Sequence, residues 1–360
     1  MVARTLASAI PSGVQRPQVI CLGEALLDRL GPPGGDPATA PPSQREDRLG
    51  GAPANVACGL ARLGTPSAFV GRLGLDAIGE AFTALLADRG VNLSTLQWDQ
   101  QRPTRIVLVQ RDGSGERRFG GFAGDRGAGF ADQALEAAAL AEPLEALLSG
   151  AQWLLVGTIP LASPVSAEAL QLALDRAAGC GVALAVDVNW RPTFWDAQAP
   201  VEAGPTAAAL AAMQPVLERA ALLKLAAEEA EWLFATRDPR RIQAALPQRP
   251  AVVVTDGGAP LRWCLAGQTG ALPALAVPVL DSTGAGDAFL AGLLHGLCRR
   301  PALRQEATAE PGAVEELMVV AMACGALVCL GAGAIDPQPT AERVHAFLAD
   351  QGRGLPQRQA

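Results

Sequence analysis

Between residues 153 and 255 the chain repeats one unit: a short apolar run, a turn, and then a longer stretch with helical spacing. The apolar runs at 153–156, 182–188, 220–224 and 251–255 alternate with helical patterns near 164–178, 206–218 and 227–234. Strands joined through helices are parallel, and right-handed βαβ crossovers place those helices on both faces of the sheet. In such a sheet ligands bind at the carboxyl ends of the strands. Asp28, Asp187 and Asp287 each follow an apolar run, so all three are candidates for that end.

The flanking segments extend the pattern and interrupt it once. An apolar strand is predicted over 19–27, a Pro- and Gly-rich loop over 31–47, and a helix over 53–63 that opens at Pro53. A strand over 67–70, a helix ending at Asp88 and a helix near 131–148 follow, and 298–312 reads as a polar surface insertion. The exception is a β-hairpin, 104–110 with 116–122, flanking R-D-G-S-G. A hairpin does not belong to a parallel sheet and marks a separate small β element.

The segment D-S-T-G-A-G-D-A-F, residues 281–289, is the most chemically loaded stretch. The apolar run 275–280 predicts a strand leading into it, and apolar residues at Phe289, Leu290, Leu293, Leu294 and Leu297 predict a helix leading out. Gly284, Ala285 and Gly286 therefore sit where a helix begins, with unpaired N–H groups and the positive end of the helix dipole directed at one spot. That is an anion site suited to phosphate. Asp287 would repel a phosphate there unless it accepts a proton from a hydroxyl attacking the phosphoryl group. Equally, Ser282 or Asp287 can serve as a helix cap, since acidic and hydroxyl residues are common there.

D-S-T-G-A-G-D-A-F resembles the C-terminal signature of the ribokinase-like (PfkB) carbohydrate kinases, and G-G-A-P-A-N-V-A at 50–57 resembles their second signature. The resemblance spans roughly residues 19–348. It implies a three-layer α/β/α fold with a mostly parallel central sheet, plus a small β lid from about 28–50 and 103–123. One domain would then cover 18–350, with flexible tails at 1–17 and 351–360. It also implies that Asp287 is the catalytic base, and that Gly284, Ala285 and Gly286 form the anion hole. Asp28, Gly50, Gly51 and Asn55 match the family's sugar contacts.

Further segments resemble the fructokinase branch. D-V-N-W-R-P, 187–192, is similar to its D-P-N-x-R-P run, with Val188 in place of the proline. Asp187, Asn189 and Arg191 occupy alternate positions, predicted to share one side of a strand end, and Arg191 is a candidate phosphate clamp. K-L-A-A-E-E, 224–229, resembles the family's N-x-x-E segment: Glu229 matches the Glu that holds magnesium through water, while Ala226 departs from the expected Asn or Ser. Lys224, Thr255, Gly257, Asp281 and Thr283, with Asp187 and Asn189, are the expected ATP residues. The helix over 319–329 and the loop 331–334 are expected to cover the adenine. The hairpin is expected to close over the sugar through Ile106, Leu108, Phe119 and Phe122.

Composition removes rivals. A net charge of −7, without a basic run, disfavours a nucleic-acid surface. Lys224 is the only lysine and no glycine precedes it in A-L-L-K-L, so a Walker A loop is excluded. Seven cysteines scattered through apolar segments read as buried free thiols in a reducing compartment, the cytoplasm. His295 and His345 lie in predicted helices and take no role. No apolar run reaches transmembrane length. The expected activity is ATP-dependent phosphorylation of a primary hydroxyl of a free hexose, D-fructose, with Mg²⁺ and a monovalent cation such as K⁺. Ribose, 2-keto-3-deoxygluconate and adenosine are the alternative substrates, and an inactive scaffold is the alternative class. Expected partners are a small sugar, ATP and a second copy of the chain through the lid.

Overall fold

The computed structural model describes residues 16–111, 117–304, 310 and 312–352. Most of the expected tails, 1–17 and 351–360, and most of the R-D-G-S-G turn lie outside these residues. The chain forms β1 (Val19–Leu22), β2 (Leu26–Pro33), β3 (Glu46–Gly50), α1 (Ala52–Arg62), β4 (Ser67–Val70), β5 (Arg72–Gly74), α2 (Ala77–Asp88) and β6 (Gln97–Asp99). Next come β7 (Ile106–Arg111), β8 (Arg117–Ala123), α3 (Ala137–Leu148), β9 (Trp153–Val156), α4 (Pro164–Gly179), β10 (Ala183–Asp187), α5 (Pro192–Trp195) and α6 (Ala207–Leu217). The remainder is β11 (Leu222–Ala226), α7 (Ala227–Phe234), α8 (Pro239–Ala245), β12 (Ala251–Thr255), β13 (Leu261–Leu265), β14 (Gln268–Leu272), α9 (Ala285–Arg299), α10 (Ala313–Val328) and α11 (Ala341–Asp350).

Eight strands form the main sheet in the order β14-β13-β12-β11-β10-β9-β1-β4. β4 through β12 pair in parallel across it, and only β12-β13 and β13-β14 are antiparallel. Alternate residues of each strand feed two separate cores, as the pleat requires. Val19, Cys21 and Val253 join the core under α1, α9 and α10. Ile20, Leu22, Val252 and Val254 join the one under α3, α4 and α8. The result is a three-layer α/β/α arrangement in which β1 is fully buried, as an unbroken apolar run anticipates.

Four strands, β3-β2-β7-β8, make a second sheet. The expected continuous strand over 19–27 is two strands in different sheets. The chain breaks at Gly23, where a Cβ would stand 2.6 Å from Pro53 Cγ, and hydrophobicity alone carries no mark of such a switch. The expected loop over 31–47 is shorter, because β2 runs to Pro33 and β3 starts at Glu46. The strand expected over 275–280 is absent. Val279 and Leu280 are 63% and 70% exposed and have no neighbouring strand to pair with, so an apolar run there forms no ladder. Cys180 is exposed and Cys329 half-buried, whereas the other five thiols are buried; all seven are free. Among the described residues no helix is long and apolar enough to cross a membrane.

Candidate active site

The segment expected to bind phosphate is held in place by one carboxylate. Asp281 Oδ1 accepts the Thr283 N–H at 3.0 Å and its hydroxyl at 2.7 Å, and Oδ2 accepts the Gly333 N–H at 2.8 Å. Segment 281–284 is thereby tied to the G-A-G-A loop, 331–334. Gly284 caps α9 at φ +78°, and a Cβ there would lie 2.5 Å from Ala334 Cβ, so this close approach admits glycine alone. The amides of the first turn of α9, Ala285 to Asp287, start a helix whose dipole favours an anion. Behind α9, a Cβ on Gly325 of α10 would lie 2.9 Å from Ala285 O, so the two helices pack backbone to backbone.

Asp287 projects from that first turn into a polar pocket. Its Oδ2 accepts the Asn55 Nδ2–H at 2.7 Å. Asn55, on α1, is buried, and its Oδ1 lies about where a Cβ on Gly50 would contact it, 4.0 Å away. The same Cβ would stand 3.2 Å from Asp28 Oδ2. Asp28, Gly50, Asn55 and Asp287 therefore converge from β2, β3, α1 and α9. Gly51, at φ +106°, lets the chain enter α1, where a Cβ would meet Glu24 O at 2.7 Å. Removal from water, chiefly, and the Asp187 charge raise the Asp287 pKa, against the Asn55 hydrogen bond and the charges of Lys224 and Arg191.

Lys224 Nζ donates to both Asp187 oxygens, at 2.9 and 3.1 Å, and both side chains are buried. A Cβ on Gly286 would lie 3.2 Å from Lys224 Nζ, so the ammonium abuts the anion loop. Burial works against that charge, yet Asp187, Glu229 and Asp287 together raise its pKa. The cation stays charged. Asn189 departs from expectation: its φ of +42° ends the alternation, so Asp187, Asn189 and Arg191 do not share one strand face. Arg191 is exposed, with its Nη1 on Trp190 O, and its charge is felt at Asp287.

Glu229 Oε1 accepts the Trp190 N–H and Oε2 the Ala226 N–H, each at 2.7 Å. Burial raises its pKa. Ala226 opens α7 with no side-chain cap, so the polar group expected at that position is absent. Among the described residues no three His, Cys, Asp or Glu side chains cluster as a metal site. With Glu229 and Asp187 so engaged, the donors fit a Mg²⁺ carried by nucleotide phosphates and water rather than a cage of protein ligands. Thr255 Oγ1 donates to Leu225 O, and Gly257 takes φ +53° in the turn after β12.

Two groups escaped the sequence reading. Glu24 is buried, its Oε1 accepts the Ala52 N–H at 3.1 Å and its Oε2 has no partner. Burial, first, and the neighbouring Asp132 and Asp287 push its pKa up to about 8. An acid embedded in the apolar run I-C-L-G-E-A-L-L was the available signal. Arg105 forms a buried pair with Asp132, its guanidinium 4.4–4.7 Å from the rings of Phe122, Phe130 and Phe194, and nothing in its local sequence marks it. This cluster joins β8 to α5. Ile106 and Leu108, expected over the sugar, instead join Leu27 in a core of the small sheet, because Val107 and not they pairs with Asp28.

The pfkB family carbohydrate kinase model matches residues 16–341. The chain is 33% identical over 340 residues to the probable fructokinase-6, chloroplastic, of Arabidopsis thaliana, covering 93% of this chain and 83% of that one. It resembles the ATP-bound fructokinase of Xylella fastidiosa with a TM-score of 0.78 at 27% identity, over 94% of this chain and 100% of that chain. A Vibrio cholerae O395 fructokinase double mutant, in its fructose-, ADP- and potassium-bound form, aligns with a TM-score of 0.74 at 29% identity, over 92% and 98%. With its glycine-rich helix start, its half-buried Asp287 and both signatures in one pocket, the chain belongs to the pfkB family of carbohydrate kinases.

Proposed function

We propose that the protein phosphorylates D-fructose to fructose 6-phosphate with ATP, using Asp287 as general base. The observation that carries this reading is the Asn55–Asp287 hydrogen bond beside Asp28 and Gly50 at the start of α9, which supports a proton acceptor and sugar-binding groups beside an anion-binding helix end. The sugar's hydroxyls are held by Asp28, Asn55 and the backbone of Gly50 and Gly51. Its primary hydroxyl gives its proton to Asp287 as its oxygen attacks the γ-phosphorus and the bond to the ADP oxygen breaks.

Charge on the transferring phosphoryl group is met by the amides of Gly284 and Gly286, with Lys224 behind Gly286 and Arg191 at the rim; the Ala285 N–H, expected to join them, donates to Ser282 O at 3.2 Å instead. Asp187 keeps Lys224 aligned. Glu229 would hold Mg²⁺ through water, and the ion would supply charge neutralisation. Asp281 and Thr283 order the loop that receives the nucleotide. Thr255, Gly257 and Asn189 line its approach, and 319–334 covers the adenine. K⁺ is the matching monovalent cation, the bound potassium of the Vibrio cholerae relative being the support for it. The small sheet acts as a lid on the single 18–350 domain and as the dimer contact.

Release of ADP from ATP and Mg²⁺ with a panel of free sugars tests the reading. Fructose should give the highest kcat/KM. A preference for ribose, 2-keto-3-deoxygluconate or adenosine overturns the substrate, and sugar-independent ADP release or none overturns the kinase.

A further inference from the structure

Arg48 stands where the two halves of the pocket meet. On β3 it lies directly opposite Asp28 of β2, and directly opposed residues present their side chains on the same face. Gly50, two residues on, shares that face and approaches Asp28 Oδ2. Arg48 reaches away from the small sheet: its Nη1 donates to Ala332 O at 3.3 Å, across 284 residues of chain. Its stem lies against Gly333, where a Cβ would stand 3.2 Å from Arg48 Cδ. Gly333 in turn donates to Asp281, the carboxylate that holds Thr283 and the start of the anion loop.

The other end of the guanidinium is anchored within the small sheet. Nη2 donates to Glu46 at 2.6 Å, and Glu46 also pairs with Arg111 of β7 at 3.0 Å. Arg111 Nε closes the network on Gly31 O of β2. Three strands of the small sheet are thus tied to one side chain that grips the G-A-G-A loop. Arg48 Nε is buried without a partner, so the grip leaves a donor unspent beside the pocket.

We propose that Arg48 is the latch that couples occupancy of the sugar pocket to the geometry of the phosphate loop. Sugar bound at Asp28 and Gly50 fixes the face of the small sheet that carries Arg48, and Arg48 then fixes Ala332 and Gly333, hence Asp281 and the anion loop. Coupling of this kind is reciprocal: each ligand tightens the other by the same factor. Arg48 is a positioning residue and touches neither reacting atom. The proposal rests on the sugar-kinase reading.

The test is calorimetry of a non-hydrolysable ATP analogue with and without fructose, on the wild type, Arg48→Met and Arg48→Lys. The wild type should show fructose tightening the analogue about 5-fold or more, within the usual range of coupling factors. Arg48→Met keeps the stem over Gly333 and removes the donors. Its coupling factor should fall to near 1, with each separate affinity changed less than about threefold, and more ADP should form per sugar phosphorylated. Arg48→Lys, which retains one donor, should restore part of the coupling. An Arg48→Met enzyme with wild-type coupling overturns the latch, as does a wild type with none. If another acceptor outperforms fructose, the substrate reading falls, and the same cycle with that acceptor still decides on the latch.

Discussion

Asn55 Nδ2 donates to Asp287 Oδ2 at 2.7 Å, joining residues 232 positions apart, one from each of the two signature segments. The bond fixes the carboxylate's rotamer through Oδ2. Because the amide donates to the charged form, it also holds the Asp287 pKa below where burial alone would set it. One hydrogen bond thus aims the proposed base and opposes the rise in its pKa that burial brings.

Asp287→Asn should lower kcat by about 10²–10⁴, the span expected for loss of a general base, with the melting temperature close to wild type. Steady-state kinetics beside thermal unfolding is the measurement. A folded variant with unchanged kcat would remove Asp287 from the mechanism.

Asn55→Ala should weaken sugar binding by about 1–3 kcal/mol, because a buried polar partner is lost, and leave ATP affinity nearly unchanged. It should also move the acid limb of kcat/KM to higher pH. The base works only when deprotonated, and losing a bond to the charged form raises its pKa, so more alkali is needed to empty it. A limb that stays put or moves to lower pH contradicts the assignment.

Gly284→Ala places a side chain at φ +78° and 2.5 Å from Ala334. The strain is on the order of 1–3 kcal/mol and falls on the proposed anion loop. Stability should drop by that order, and ATP KM should rise while the sugar affinity measured without nucleotide holds. Equal kinetics in the variant would show that the loop's geometry is not needed.

Glu24 gives a stability signature. Folded, its carboxyl titrates at about 8; unfolded, it ionises near the ordinary 4.5. Between those values the folded state holds the extra proton, so stability falls as pH rises and the contribution is gone above the folded pKa. Melting temperatures of the wild type should decline from about pH 6 to 9 more steeply than those of Glu24→Gln, which cannot ionise. Parallel curves would mean that Glu24 is already charged when folded.

Periodicity alone marks the strands at 153–156, 67–70 and 251–255 and the helix at 227–234, because unbroken apolar runs and helical spacing are local consequences of burial. The glycine-rich start of α9 is equally local: a helix N-terminus exposes its amides wherever the chain folds. Relations between distant segments are not local. The passage of the chain from one sheet to the other at Gly23, the exposure of Val279 and Leu280, and the break in alternation at Asn189 each depend on what lies opposite. The grip of Arg48 on Ala332, the Lys224–Asp187 pair and the raised pKa of Glu24 arise only once strands and helices are docked. Hydrophobic spacing records which residues leave water; it holds no record of which partners they meet, and that pairing is decided by tertiary packing.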